Sequence, residues 1–139
     1  MNEASIASES KLPERARELL APYFPEINLE KVRIWPNGIP FYVPMKAAAY
    51  TGRNRIHFAR GVYDPRSYEG LALIAHELTH VAQYEKHGVW RFRLMYVKSW
   101  LVELFRNRSF NEAYRQNCFE VEARAVEQKV YDDLCNRRG

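Results

Sequence analysis

Long apolar runs, a secretory leader and strong charge of one sign are all missing from this sequence. No stretch of 18 apolar residues exists, so the sequence predicts no membrane-spanning helix and no membrane partner. The first ten residues are polar and lack the apolar segment of a secretory signal, so we expect a cytoplasmic protein, with any export by a route independent of such a signal. Basic and acidic residues are scattered and the net charge is only +4, so nucleic-acid binding is not indicated.

Cysteine is also scarce, which excludes a fold held together by disulfides. Cys118 and Cys135 are the two cysteines, and both fall in one predicted helix. At 1.5 Å per residue they lie about 25 Å apart, well beyond the roughly 7 Å that a disulfide can span. We therefore expect two reduced cysteines, neither of them at a metal-ligand spacing from the histidines.

What is present is the composition of one globular domain. Of the 139 residues, 47% are hydrophobic and 27% are charged, so the chain can bury a core of its own. We expect a flexible tail over residues 1–10 and a single domain over residues 11–139.

Apolar periodicity predicts an α+β fold, with a small N-terminal β-sheet and a mainly helical C-terminal half. Strands are predicted over residues 29–35 and 55–58, with a shorter extended piece at 41–43 and a turn at 51–54. Helices are predicted over residues 14–20, from the capping Ser67 to about 86, over 90–106 and over about 117–135, with connecting structure at 109–115. The apolar stripe of the third helix, which begins at Trp90, is assigned to the core.

The helix that follows Ser67 carries two histidines and a glutamate at a spacing typical of metal sites. At about 100° per residue, His76, Glu77 and His80 fall within about 100° of the helix circumference. Two imidazoles one turn apart can bind one cation, and Glu77 is then placed to contact a water molecule beside that cation. The alternative is a chance pattern on a core helix, but burying these groups without a partner is costly. His87 lies roughly 10 Å further along the axis, too far to bind the same ion.

A third ligand is expected on the last helix, where Glu120 and Glu122 flank the apolar stripe. The two side chains project about 200° apart, so only one of them can face the cation. Glu120 could instead serve as a capping partner of Asn117, and Glu122 could be an ordinary solvated charge. Helical periodicity alone leaves the choice open.

The sequence resembles the gluzincin branch of zinc metallopeptidases in two features, the His-Glu-Leu-Thr-His string and the two glutamates on the last helix. The segments 48–52, 56–58, 61–64 and 74–83 resemble more closely a bacterial zincin-like metallopeptidase domain family, often encoded beside extracellular contractile injection systems. In gluzincins the ligand glutamate begins a Glu-x-x-small-Asp pattern, which favours Glu120 because Ala123 follows it, although Arg124 stands where the acid would be. The resemblance also implies a strand antiparallel to bound substrate, for which residues 55–58 are the candidate.

The resulting hypothesis is zinc-dependent hydrolysis of a peptide or protein substrate. His76, His80 and Glu120 would hold Zn²⁺, and Glu77 would act as general base. His57 and Tyr114 are candidates for stabilising the oxyanion, although His57 also fits an ordinary exposed strand residue. The alternative hypothesis is a catalytically silent, zincin-like module that binds metal or docks within a larger assembly. The sequence carries no signal for the oligomeric state.

Overall fold

The structure is a computed structural model that describes residues 9–39, 48–107 and 116–137. Its strands are β1 (Ser10–Lys11), β2 (Arg33–Trp35), β3 (Ala49–Gly52) and β4 (Arg55–Phe58). Its helices are α1 (Glu14–Leu20), α2 (Tyr68–His87), α3 (Val89–Asn107) and α4 (Cys118–Asn136). The predicted pieces at 41–43 and 109–115, with Tyr114, lie outside the described residues. The predicted α+β class is confirmed.

Apolar residues on alternate positions of the strands give the sheet one buried face. The strand order is β1-β2-β4-β3, with β2 and β4 parallel and the other neighbouring pairs antiparallel. Ile34, Ile56 and Phe58 are fully buried, and they pack with α1, α2 and α4 in the main hydrophobic core. Thr51 is paired with Ile56, so its hydroxyl also faces α2.

Three predicted boundaries in the N-terminal half are wrong. The strand predicted over 29–35 begins only at Arg33, because Leu29–Lys31 forms a 3-10 turn capped by the Asn28 side chain. The turn predicted at 51–54 is shorter, because β3 continues through Gly52 and a two-residue connection with Arg53 at φ 65° closes the hairpin. Ser10 belongs to β1 and not to a tail.

Helix α2 is buried along most of its length because apolar residues surround it on nearly every side. The Ser67 hydroxyl accepts a hydrogen bond from the Gly70 amide and caps the first turn. Gly88, at φ 78°, ends the helix after His87. At Gly70 the backbone oxygen of Asp64 comes so close that a Cβ atom would clash with it, so the preceding loop is packed directly onto the start of the helix.

Helices α3 and α4 meet α2 in an aromatic cluster formed by Tyr84, Phe92, Phe119 and Tyr96. The predicted stripe of α4 is confirmed, with Phe119 and the positions that follow it packed inward. The stripe assigned to the core on α3 is not buried: Trp90 lies on the solvent side. Both cysteines are free. Among the described residues, no helix is long and apolar enough to cross a membrane.

Candidate metal centre

Two imidazoles of α2 and one carboxylate of α4 converge on a common point. The Glu120 carboxylate lies between the histidines, with Oε1 at 3.2 Å from His76 Nε2 and Oε2 at 3.2 Å from His80 Nε2. One ligand atom from each of the three residues lies within 4.8 Å of the other two. The arrangement follows from the one-turn spacing of the histidines and from the packing of α4 across α2. The three residues could therefore hold a metal ion.

The far nitrogen of each imidazole has its own hydrogen-bond acceptor. His76 Nδ1 lies 2.7 Å from Glu127 Oε1, and His80 Nδ1 lies 2.8 Å from Gln83 Oε1. In the neutral form of each ring, these partners favour the tautomer that carries its proton on Nδ1, so that deprotonation frees the Nε2 lone pair toward the shared point. Hydrogen bonds of this kind orient metal-binding imidazoles and increase their basicity.

The structure brings Glu120, and not Glu122, to the histidines. The Gln83 amide donates to Glu122 Oε1 at 2.6 Å and to the Phe119 carbonyl oxygen at 3.1 Å. Glu122 is therefore connected to the histidines indirectly, through the side-chain amide of Gln83, which also contacts His80. Asn117 caps α4 by accepting from the Phe119 amide, while the Glu120 carboxylate points away toward the histidines.

Glu77 lies beside the three converging residues and is held by a side chain from β3. The Thr51 hydroxyl lies 2.8 Å from Glu77 Oε1 and 3.3 Å from the Glu77 carbonyl oxygen. The other carboxylate oxygen, Oε2, is 3.9 Å from His76 Nε2. One oxygen of Glu77 is therefore fixed by the sheet, and the second faces the point where the ligands converge.

Tyr96 of α3 completes the ring of polar groups around Glu120. Its hydroxyl donates to Glu120 Oε2 at 3.3 Å, and its ring stacks on Phe119 at 6.3 Å between centroids. The aromatic cluster therefore positions a hydroxyl group at the edge of the site.

Burial and mutual hydrogen bonding shift the pKa values of these groups. Burial alone would lower the pKa of the His76 imidazole, but hydrogen bonds to Glu120 and Glu127 outweigh burial and raise it to about 10. Burial alone would also lower the pKa of His80, but the hydrogen bond to Glu120 favours the charged ring, and the pKa is raised. Although burial disfavours its charge, the two histidines hold the pKa of Glu120 far below its usual range. Burial raises the pKa of the Glu77 carboxyl.

The structure does not bring the other sequence candidates into the cluster. His57 lies in a row with Trp35 and Tyr50, on the sheet face opposite to Thr51, with ring centroids at 5.5 Å and 6.2 Å. His87 contacts Phe119. Arg55–Phe58 is an interior strand between β2 and β3, so its edges are already paired and the role implied for it beside a substrate is wrong. Among the described strands, β3 has the free edge nearest the site.

Four residues that contact the cluster were missed by sequence reasoning. Gln83 follows His80 by three residues and Glu127 follows Glu120 by seven, so each shares a helix face with a residue of the cluster, and helical spacing could have identified both. Gln83 supports His80, and Glu127 supports His76. The gluzincin pattern has an acidic residue where this chain has Arg124. Here Glu127, three residues further on, brings a carboxylate to His76. Thr51 and Tyr96 come from other elements, and no local pattern marks them.

The donor set fits a divalent transition metal. Imidazole nitrogen and carboxylate oxygen bind Zn²⁺ and related ions, and three protein ligands leave a coordination position for water or substrate.

A known protein family matches the part of the chain that carries the two histidines of α2. Residues 11–88, which run from β1 to the end of α2 and include His76, Glu77 and His80, match the model of the eCIS core domain, a domain of extracellular contractile injection systems. No curated protein and no solved structure matches the chain. Because the matched segment covers more than half of the sequence, the chain belongs to the eCIS core domain family.

Proposed function

We propose that this protein is a zinc-dependent peptide hydrolase that works in connection with a contractile injection system. The observation that supports the proposal is the convergence of His76, His80 and Glu120, with a separate carboxylate, Glu77, beside them. A purely structural zinc site normally has four protein ligands, whereas this cluster offers three, together with a second carboxylate, Glu77, suited to proton transfer. The substrate would be a peptide or protein segment.

Each residue has a distinct part in this proposal. His76, His80 and Glu120 would hold Zn²⁺, which when bound supplies Lewis acidity and lowers the pKa of a water molecule. Glu77 would accept a proton as the water oxygen forms a C–O bond to the carbonyl carbon, and would then return that proton to the amide nitrogen, so that the C–N bond breaks and the amine leaves. Thr51 keeps the carboxylate of Glu77 in position, and its strand, β3, offers the free edge on which an extended substrate would lie.

The alternative is a catalytically silent module that binds metal and docks within the injection system. One observation favours it: the side chains of His76, His80, Glu77 and Glu120 are only 11%, 9%, 6% and 5% exposed. A site so enclosed must open before a substrate carbonyl can enter.

The two functions are separated by a cleavage screen on zinc-loaded protein. A library of internally quenched peptides and denatured proteins would be incubated with the protein, with and without a chelator, and the products identified by mass spectrometry. Cleavage that the chelator removes and added zinc restores is the expected result. Stoichiometric zinc with no cleavage of any substrate would favour the silent module.

Metal binding is expected to stabilise the fold more at about pH 8 than at about pH 6. Because the pKa of His76 is raised from 6.5 to about 10, its charged ring stabilises the metal-free protein. This contribution is complete below about pH 6.5 and is lost as the pH rises through about 10. Zinc binds only the deprotonated ring, so the affinity for zinc increases as the pH rises. The fall in melting temperature on chelation, measured at both pH values, checks this prediction. An equal or larger fall at pH 6, or failure to bind any transition metal, would contradict it.

Thr51→Val is expected to lower the turnover number about tenfold, because a hydroxyl bond to a buried carboxylate is lost without a change in side-chain shape. KM and zinc content should stay near wild type, since Thr51 contacts none of the three metal-binding residues. The matched control is Thr51→Ser, which keeps the donor and should restore turnover. If the serine variant is as impaired as the valine variant, Thr51 acts through packing and does not position Glu77.

A further inference from the structure

The outward face of α3 carries an apolar seam, defined by Trp90, Leu94, Val97 and Leu101, that the described residues leave exposed. Trp90 is 76% exposed and Leu94 is 72% exposed, and at the end of the helix Phe105 is 83% exposed. The opposite face of α3 is the one that packs into the aromatic cluster. Single exposed apolar residues are common on protein surfaces, but a continuous row with a tryptophan is typical of an interaction site.

The spacing along the seam is that of a helix-packing surface. Trp90, Leu94, Val97 and Leu101 recur at intervals of four, three and four residues, the repeat that a coiled coil uses at its contact positions. At about 100° per residue, the four side chains lie within roughly 60° of the circumference. Val102 and Phe105 are also exposed and widen the apolar face on one side near the end of the helix, while the four residues of the seam match the contact positions toward a single facing helix.

The exposed charged residues that α3 itself carries beside the seam are all positive. Arg91, Arg93 and Lys98 are exposed, and they occupy the flanking positions that determine which helices pair. The guanidinium of Arg93 lies 5.8 Å from the centre of the Trp90 ring, so the cation is held at the edge of the seam. The acidic residue of α3, Glu103, lies on the other side of the helix and pairs with Arg106 at 3.3 Å.

These charges select the partner. Two copies of α3 packed seam to seam would place cations opposite cations, which opposes self-association. A helix with an apolar seam flanked by Asp or Glu would instead form ion pairs along both edges. We propose that the α3 seam is a docking site for an acidic amphipathic helix of another protein. This inference does not depend on the zinc site or on catalysis.

A charge-reversal experiment tests the proposal with two designed probes. One is a monomeric, cross-linked three-heptad helix with Leu and Val at the contact positions and Glu at the flanking positions, and the other differs only in having Lys at the flanking positions. Binding of each fluorescent peptide to the full chain is measured by anisotropy. The acidic peptide is expected to bind at least about tenfold more tightly than the basic one.

Two variants and a control locate the interaction. The triple variant Arg91→Glu/Arg93→Glu/Lys98→Glu should invert the preference, and Trp90→Ala/Leu94→Ala should weaken binding of the acidic peptide about tenfold or more. The matched control reverses three exposed cations elsewhere, Lys11→Glu/Arg15→Glu/Lys31→Glu, and should keep the wild-type preference. Equal melting temperatures establish that the variants fold, which is expected because the substituted residues are exposed.

Other occupants of the seam give different results, and each of them would overturn the proposal. Binding to phosphatidylserine vesicles that the triple variant abolishes, without a preference between peptides, would assign the face to a membrane surface. A dimer in sedimentation velocity that Trp90→Ala/Leu94→Ala dissociates would assign it to a second copy of the chain. Failure of both peptides to bind, or equal binding of both, would also overturn it.

Discussion

Glu77→Gln is expected to lower peptide hydrolysis by at least about a hundredfold, the usual effect of losing a general base. Glutamine keeps the size of the side chain and can still accept the Thr51 hydrogen bond, which is 2.8 Å long in the wild type. What it lacks is an oxygen basic enough to take a proton from water. Zinc content and melting temperature should therefore stay near wild type while the cleavage rate falls. Initial rates with a quenched peptide, together with elemental analysis of the same samples, measure both quantities.

The control for this variant is Glu85→Gln, which makes the same change at an exposed position of α2 and should leave the rate unchanged. Equal rates for the wild type and the Glu77 variant would show that Glu77 is not the base. Binding of zinc by both proteins, with cleavage by neither, would instead favour the silent docking module.

Glu120→Ala is expected to weaken zinc binding more than about a hundredfold. Loss of a residue that only orients a ligand typically costs 10- to 100-fold in metal affinity, and loss of a direct ligand should cost more. The substitution also removes the anion that lies between the two imidazoles, at 3.2 Å from each. Competition with a chromogenic chelator gives the affinity, and Glu120→Gln, which keeps the shape of the side chain, shows whether any loss comes from the cavity alone.

Glu122→Ala is the matched control, two residues away on the same helix. Its effect on zinc affinity should stay below about tenfold, because Gln83 retains its bonds to the Phe119 carbonyl and to His80. If Glu122→Ala weakens zinc binding as much as Glu120→Ala, the assignment of the third ligand is wrong.

Local patterns were sufficient to predict the parts of the fold that depend on neighbours in sequence. The cap at Ser67, the end of α2 near Gly88 and the buried stripe of α4 follow from spacing and from the chemistry of single residues. The convergence of His76 and His80 is predictable for the same reason, because one helical turn separates them.

Features that depend on distant packing could not be predicted in this way. Periodicity shows that α3 has an apolar stripe, but it does not show whether the chain itself covers the stripe, and here Trp90 is exposed. It also left Glu120 and Glu122 as equal candidates, because only the packing of α4 on α2 decides which one faces the histidines. The approach of Thr51 to Glu77 depends on the strand order, in which the parallel pairing of β2 with β4 leaves β3 at the edge.

Both nitrogens of His76 are held by carboxylates of one helix, Glu120 on one side of the ring and Glu127 on the other. The two glutamates are two turns apart on α4, so the ring spans the contact between α2 and α4 and fixes how one helix lies on the other. In small zinc-dependent domains, metal capture and chain ordering are the same event. Here the crossing of the two helices already holds His76, His80 and Glu120 together, so the entropy of bringing them into place would be lost during folding and not during metal uptake. A cation would therefore meet a preorganised site, and its association rate would be limited by diffusion, proton release and access through the protein surface.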